Sequence, residues 1–285
     1  MSNKFAREHK ENTNKITTGA VLCVVGILGA TPMFMIHFVI GAIFLFPLFI
    51  TGMVLVVMGT TKAEKNKVDF KNQYLIPRMR EFFSELEYEA TNGLQDSTIR
   101  ELKLIATGDS IHTSDLYKGR YRGCSFIQSD VRCTETKRDS DGDRHTTTVF
   151  SGRVIIIGIS PIKEGEVKIT PKWNTAYKVR KGAIPLNYNH PIVEDFNIFG
   201  SSEIELPRYF LDHIVSFKQA FYRQKFYYKI LNDRIYIAID NINELYDVGK
   251  CMDTSIEAMD KIIKRDSAFF TNLISLIIDA KNMRW

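Results

Sequence analysis

The residues that most often carry chemistry stand singly in this chain of 285 residues. Four of its six histidines follow residue 100: His112, His145, His190 and His213. The sequence contains no G-x-S-x-G, P-loop, H-E-x-x-H or dinucleotide-binding fingerprint that would pair them with a nucleophile or a cofactor. We therefore expect surface or hydrogen-bonded histidines, and we read Asp109-Ser110 and Ser114-Asp115 as turn or capping residues. The sequence indicates no catalytic and no cofactor-binding residue.

One acidic run, Asp139-Ser140-Asp141-Gly142-Asp143, has the composition of a calcium loop. An EF-hand loop that begins at Asp139 needs glycine at its sixth position and glutamate at its twelfth. Those positions hold Arg144 and Phe150, and strand-like segments flank the run in place of helices. The run therefore predicts the tip of a β-hairpin and not a metal site.

The cysteines also lack metal-binding or redox spacing. Cys23, Cys124, Cys133 and Cys251 include no C-x-x-C pair, and the histidines do not complete a zinc set. We expect free structural thiols in a reducing compartment, since a free cysteine usually behaves as a small core residue.

The elements that must position any site begin with an uncharged stretch. Residues 16 to 61 are 46 consecutive residues without Asp, Glu, Lys or Arg. Two membrane crossings need about 40 apolar residues and leave about six for a turn. The stretch predicts a hairpin of two transmembrane helices, the first from about Ile16 to near Pro32 and the second from about Phe38 to Thr60, with Pro47 as a kink. A signal peptide is the weaker reading, because a second apolar span follows almost at once.

The charges beside this hairpin predict its orientation. Both flanks are basic, whereas the turn contains no Lys or Arg: the flanks hold Lys4, Arg7, Lys10 and Lys15, then Lys62, Lys65, Lys67, Lys71, Arg78 and Arg80. Under the positive-inside rule both termini face the cytoplasm. The sequence thus predicts a multi-pass protein of the cell membrane, with the lipid bilayer as its first partner.

The same basic residues raise the question of specific ligands. Four of them are candidate contacts for anionic lipid, namely Lys62, Lys65, Lys67 and Lys71. The net charge of +5 is modest and much of it lies beside the hairpin, so we expect no nucleic-acid partner. Six glycines in the spans could allow close helix contacts, but they do not by themselves predict an oligomer. His37 is expected at the turn, close to the headgroups.

Beyond the hairpin, the pattern predicts helices and strands in one cytoplasmic domain. We expect a basic tail over 1–15, the hairpin over 16–61 and an α+β domain over 62–285. That domain should be a mixed, mainly antiparallel sheet with packed helices. The first predicted helix covers about 61–90 and is interrupted at Pro77. A short second helix is capped by Asp96 or Ser97 and ended by Gly108, and a third starts at Pro207.

The predicted strands come from apolar residues that alternate with polar ones. A hairpin is expected from about Tyr117 to Ile159, with the apolar run from Val154 as a central strand, and a second one pairs 225–231 with 234–239. Further short strands are expected at 166–170, 176–179 and 194–199, with Trp173 and Tyr177 in the core or over an edge.

The last part of the chain predicts a long helix, opened by a capping box of Thr254 and Glu257. Apolar residues recur there at spacings of three and four, and Ile262, Phe269 and Leu276 widen the stripe. A wide stripe favours packing on the sheet, and self-association through this helix is the alternative.

The order of these elements resembles a known family. A membrane hairpin, a basic helix, Phe150-Ser151-Gly152 before an apolar strand, the segment 193–199 before a helix, and the segment 234–239 are similar to bacterial membrane proteins of domain-of-unknown-function family 3137. The resemblance covers most of the chain up to about Asp247. It implies a bacterial cell-membrane protein and supplies no catalytic residue.

Two functions remain open at this point. The first is a non-enzymatic, membrane-anchored cytoplasmic module that binds a protein or lipid partner. The alternative is a membrane-tethered enzyme, hydrolase-like and of unrecognised type. A pocket with converging His, Asp or Ser would favour the enzyme, and a grooved apolar surface would favour the binding module.

Overall fold

A computed structural model describes residues 2–36, 38–159, 165–172, 184–200, 206–240 and 256–281. The chain divides into two compact units. The first contains Met1–Pro77 with Tyr246–Ile263, and the second contains Arg78–Leu245 with Lys264–Trp285. His37, Trp173, Tyr177, Thr254, Cys251 and the predicted strand at 176–179 lie outside the described residues.

The first unit is built on two long helices. Helix α1 is Ser2–Ile36 and helix α2 is Phe38–Phe70. Both are long and apolar enough to cross a membrane, within Lys4–Thr31 and Gly41–Met79. The predicted turn of about six residues is too long, because α1 continues through Pro32 to Ile36. A proline is tolerated in a helix of this kind when neighbouring groups satisfy the freed carbonyl.

Glycines line the contact between α1 and α2. A Cβ atom on Gly19 would lie 2.6 Å from the carbonyl oxygen of Gly52, and one on Gly52 would lie 2.6 Å from the Sγ atom of Cys23. A Cβ atom on Gly59 would lie 2.7 Å from the side chain of Ile16. The two backbones therefore approach each other in a way that only glycine permits at these positions.

The segment after α2 differs from the prediction. A five-residue π-helix, Lys71–Leu75, follows α2 and leads into α3, Ile76–Met79. Helical structure thus ends at Met79 and not near residue 90, and strand β1 occupies Ser84–Glu89. Glutamate is a good helix former, but the three glutamates of this stretch alternate with Leu86 and Tyr88, and pairing with the next strand decides its conformation.

The second unit contains one sheet of nine strands in the order β1-β2-β3-β4-β9-β8-β5-β7-β6. The described pairs are antiparallel, which confirms the predicted α+β class. The remaining strands are β2 Ser110–Tyr121, β3 Cys124–Arg138, β4 Arg144–Gly158, β5 Glu166–Pro171, β6 Ile184–Pro185, β7 Phe196–Gly200, β8 Lys225–Leu231 and β9 Arg234–Asp240. The remaining helices are α4 Asp96–Leu102, α5 Ile192–Asp195, α6 Arg208–Ala220 and α7 Ile256–Lys281.

Both predicted hairpins are confirmed. The acidic run is the tip between β3 and β4, where the backbone N–H groups of Asp141 and Asp143 donate to Oδ1 of Asp139. Asn232 takes a positive φ of 56° in the turn between β8 and β9. Strand β4 lies in the middle of the sheet, and residues 154–157 are buried, as the apolar run predicted.

Three boundaries are wrong. Strand β2 begins at Ser110, seven residues before the expected change of pattern. Helix α4 has Gln95 as its N-cap, without a side-chain hydrogen bond, and ends at Leu102 because Lys103 turns left-handed with a φ of 47°. Strand β7 begins only at Phe196, because the two acidic residues before it belong to α5.

The sheet is covered on two faces. On one face α4 contributes Ile99 and Leu102 to a core with Val154, Ile156 and other buried residues of the sheet. On the other face Phe270 of α7 packs edge-on against Phe126 of β3 and against Phe83, with ring centroids 5.1 and 5.7 Å apart. The C-terminal helix therefore packs on the sheet, as the wide apolar stripe predicted.

Candidate functional site

A groove of about 490 Å³ lies between α6 and α7. At one end Phe269 of α7 meets two rings of the α6 segment, with centroids 5.6 Å from Phe217 and 4.7 Å from Phe221. Towards the other end the ring of Tyr209 stands edge-on to the imidazole of His213 at 4.0 Å. The lining residues are Tyr209, His213, Ser216, Phe217, Ala220, Phe221, Phe269, Asn272 and Ser275.

The sequence of α6 explains why one side of this helix is left for the groove. Phe210, Leu211 and Ile214 are buried, and Phe210 packs on Tyr228 of the sheet with ring centroids 6.5 Å apart. A second stripe, at spacings of three and four, runs from Tyr209 through residues 213, 216 and 220. The first stripe fixes the helix on the sheet, and the second faces the groove.

Among the residues whose side chains the structure describes, the groove is uncharged along its length and has charges only around its ends. None of its nine described lining residues is Asp, Glu, Lys or Arg. Arg265 precedes Phe269 by one helical turn, so it lies on the same side of α7, and its side chain is 72% exposed. Beside Tyr209 and His213 lies the carboxylate of Asp212, which is 60% exposed. One end therefore carries the ion pair of Arg265 with the buried carboxylate of Asp266, and the other end carries the carboxylate of Asp212.

His190 pairs with Asp212 but is not arranged as a catalytic base. Its Nδ1 atom accepts a hydrogen bond from the backbone N–H of Ile192 at 3.1 Å. The ring proton therefore lies on Nε2, which donates to Oδ1 of Asp212 at 2.8 Å. Both ring nitrogens are used by the fold, as expected for a structurally satisfied histidine.

The other histidines are dispersed as well. His145 lies at the β3–β4 tip with Nε2 2.9 Å from Oδ2 of Asp139, and His112 is exposed on β2. Cys23, Cys124 and Cys133 are free thiols, and burial raises the pKa of Cys133 to about 11. The described residues contain no group of three or more His, Cys, Asp or Glu that could hold a metal ion.

A buried cluster of charges on the α4 face was not predicted. Lys168 of β5 and Lys229 of β8 are cross-strand neighbours, and both ammonium groups contact Glu166, at 2.9 and 3.5 Å. Lys229 also donates to the carbonyl of Leu102, in the last turn of α4, at 3.1 Å. A cation is favourable at a helix C-terminus. The cluster therefore has a structural role, since the hydrogen bond from Lys229 links the end of α4 to the sheet.

This cluster makes a testable contribution to acid stability. Burial raises the pKa of Glu166, but hydrogen bonds and charge from Lys168 and Lys229 outweigh it and hold that pKa below its usual 4.5. A depressed carboxyl pKa stabilises the fold above the unfolded-state pKa, and this stability is lost as pH falls through the folded-state value. We expect Glu166→Gln to be less stable than the wild type at about pH 7, with a smaller difference at about pH 3. Urea unfolding at both pH values measures this, and a difference that does not shrink would contradict it.

The four candidate lipid contacts lie where α2 ends. Lys62, Lys65 and Lys67 belong to α2, and Lys71 is the first residue of the π-helix. Lys62 and Lys65 are exposed, whereas Lys67 and Lys71 are half-buried. Helical spacing places the first two on one side of the helix and the last two on another, so the four form a collar around it and not one patch.

Sequence reasoning missed the groove itself. The helical segment predicted after Pro207 and the wide stripe that contains Phe269 each indicate an amphipathic helix, and neither by itself indicates a groove. A signal was present in the second stripe of α6, where an aromatic residue, a histidine and small residues recur at helical spacing. The partner of that stripe, α7, lies about 50 residues further along the chain, and only the tertiary structure brings the two together.

The comparisons with known proteins add little. No family model and no curated protein matches this chain. Among solved structures it is similar to the crystal structure of the mycobacterial trehalose monomycolate transport factor A, TtfA, at 12% sequence identity. The match covers 70% of this chain and 94% of that chain with a TM-score of 0.30. At this TM-score the likeness carries no argument about fold or function.

Proposed function

We propose that this protein is a membrane-anchored binding module without catalytic activity. Helices α1 and α2 insert into the cell membrane as a hairpin, and the basic flanks hold both termini and the α+β unit on the cytoplasmic side. Membership in domain-of-unknown-function family 3137 is part of the same proposal.

The observation that carries the proposal is the exposure of large apolar side chains on α1 and α2. Leu28 is 67% exposed, Phe38 74% and Ile43 67%. Most of the exposed large apolar residues among the described ones lie on these two helices. A core helix of a soluble protein buries such side chains, and a continuous exposed apolar surface of this size marks contact with a membrane or a protein. The length of both helices favours the membrane.

The collar of lysines at the end of α2 supports the cytoplasmic orientation. Cations beside the inner leaflet gain about 1 kcal/mol each from anionic lipid. The exposed pair, Lys62 and Lys65, is best placed for such contacts, and Lys67 also lies 3.8 Å from Glu64. We assign these lysines to orientation and general attraction to anionic lipid.

The groove favours binding over catalysis. Its surface is aromatic and uncharged, which suits an apolar ligand, and the His190–Asp212 pair holds its proton in a structural hydrogen bond. This is the grooved apolar surface that the sequence analysis associated with a binding module.

Alkaline carbonate extraction of membranes from cells that express the full chain tests the anchoring. We expect the wild-type protein to stay in the membrane pellet, because both spans are buried in lipid. The double variant Val24→Lys with Val54→Lys has one added charge in each span. Each charge raises the free energy of membrane insertion by about 3 kcal/mol, so the variant should appear in the soluble fraction or be degraded.

A variant with the same charge change outside the spans controls for net charge. The double variant Ser140→Lys with Thr147→Lys changes two exposed residues of the β3–β4 hairpin and should stay in the pellet. Release of the wild-type protein by carbonate would contradict the proposed anchoring.

A further inference from the structure

The groove between α6 and α7 has the dimensions and lining of a ligand site. Its volume of about 490 Å³ lies within the range of small-molecule pockets, which is roughly 300 to 1,000 Å³. Aromatic rings dominate its surface, and a few neutral polar groups stand among them, namely Ser216, Asn272 and Ser275. Such a lining removes an apolar chain from water without offering a charged partner inside.

The shape of the groove favours a chain over a compact ligand. Along α6 the lining extends from Tyr209 to Phe221, which corresponds to about 18 Å, and along α7 it extends from Phe269 to Ser275, which corresponds to about 9 Å at 1.5 Å per residue. The stretch that both helices line takes about half of an extended palmitoyl chain, and the rest of the chain lies along α6. At one end the groove is narrow, because the ring of Phe269 packs against the rings of Phe217 and Phe221.

The charges around the two ends of the groove favour one orientation of the ligand. Arg265 lies one turn before Phe269, and its pair with Oδ1 of Asp266 uses Nε and one Nη nitrogen of a guanidinium that has five N–H donors. Arg223 follows Phe221 closely in the chain and stacks over Tyr222 at 5.5 Å. At the other end Asp212 carries a negative charge. The charges of Arg265 and Arg223 together exceed the single negative charge of Asp266, so this end keeps a net positive charge. An anionic head is therefore attracted to this end and repelled from the Asp212 end.

We propose that this groove binds the acyl chain of a single-chain anionic amphiphile drawn from the bilayer. The chain lies along Phe217, Phe221 and Phe269, and the anionic head lies at Arg265. This inference rests on the proposed membrane anchoring, because the bilayer supplies the ligand and the hairpin keeps the protein beside it.

Photolabelling of the full-length protein in nanodiscs of phosphatidylcholine tests the inference. The probes are a photoactivatable palmitate and a photoactivatable hexadecanol, which differ in the charge of the head. Mass spectrometry of the labelled peptides locates the probe. We expect palmitate to label peptides of α6 and α7 around Phe217 and Phe269, in addition to any labelling of α1 and α2 by the surrounding lipid.

Matched variants separate the acyl chain from the head. Ala220→Trp fills the groove and should lower palmitate labelling of α6 and α7 about tenfold. Gln219→Trp introduces the same residue at an exposed neighbour that does not line the groove, and should leave the labelling unchanged. Arg265→Gln should lower palmitate labelling about fivefold without changing hexadecanol labelling, and Arg265→Lys should restore part of it. A melting temperature equal to that of the wild type shows that a variant is folded.

The outcomes distinguish this inference from the proposed function. Labelling confined to α1 and α2 of a protein that stays in the nanodisc would overturn the groove proposal alone. Equal palmitate labelling of wild type and Arg265→Gln would overturn the assigned position of the head.

A photoreactive residue at position 220 provides a second readout. If it crosslinks to a second copy or to a copurified polypeptide, the groove belongs to that occupant and the proposed lipid ligand is overturned. Failure of the protein to enter nanodiscs would overturn the membrane anchoring itself.

Discussion

Replacing Asp130 with leucine should destabilise the α+β unit by about 3–5 kcal/mol, because it leaves the charge of Arg153 buried without its carboxylate. Arg153 is 1% exposed on strand β4. Its Nε atom donates to Oδ1 of Asp130 at 2.7 Å, and one Nη atom lies 3.4 Å from Oε1 of Gln128. Urea unfolding of the full-length protein in detergent measures the loss.

Two control variants identify the cause of this loss. The double variant Asp130→Leu with Arg153→Met removes both charges of this pair, so it should be more stable than Asp130→Leu alone. Glu135→Leu, on the same strand, breaks a solvent-exposed pair with Lys137 and should cost less than about 1 kcal/mol. A loss below about 1 kcal/mol for Asp130→Leu would show that the buried pair does not stabilise the fold.

Replacing Phe270 with alanine should cost about 3–5 kcal/mol, since it opens a cavity between α7 and the sheet. Phe270 is 2% exposed and packs edge-on against Phe83 and Phe126. The same unfolding measurement gives the change in the free energy of unfolding.

An exposed aromatic residue provides the comparison for Phe270. Tyr222→Ala removes a side chain that is 67% exposed, and should change stability by less than about 0.5 kcal/mol. Equal effects of the two substitutions would mean that α7 is not held on the sheet through Phe270.

The sequence predicts the parts of this fold that depend on local pattern. The uncharged run of 46 residues, the two hairpins and the central strand follow from length, alternation and turn residues near in the chain. Helix α7 follows from its apolar stripe. The error at Ser84–Glu89 has a different origin, because glutamates are good helix formers and only pairing with β2 makes this segment a strand.

The buried charges could not be predicted in the same way. Lys168 stands between Val167 and Ile169, a pattern that usually places the lysine on the solvent face of a strand. It is buried because Glu166 and the neighbouring strand β8 satisfy the charge. Arg153 likewise depends on Asp130, a residue of the adjacent strand. Such pairs are set by register across strands, which the local pattern does not contain.

The groove was beyond prediction for a related reason. Its two walls come from separate parts of the chain, and each wall by itself resembles an ordinary amphipathic helix. The four lysines at the end of α2 were predicted as candidate contacts from their position alone, and that assignment stays a prediction.

The most direct test of the membrane-anchored orientation is the accessibility of a cysteine on the α+β unit. Arg144→Cys places a thiol at the exposed β3–β4 tip, and the wild type gives the background from native cysteines. A membrane-impermeant maleimide is applied to spheroplasts of a bacterial host and to inside-out membrane vesicles. We predict labelling in inside-out vesicles and none in intact spheroplasts. Labelling in intact spheroplasts would place the unit outside the cell and contradict the account.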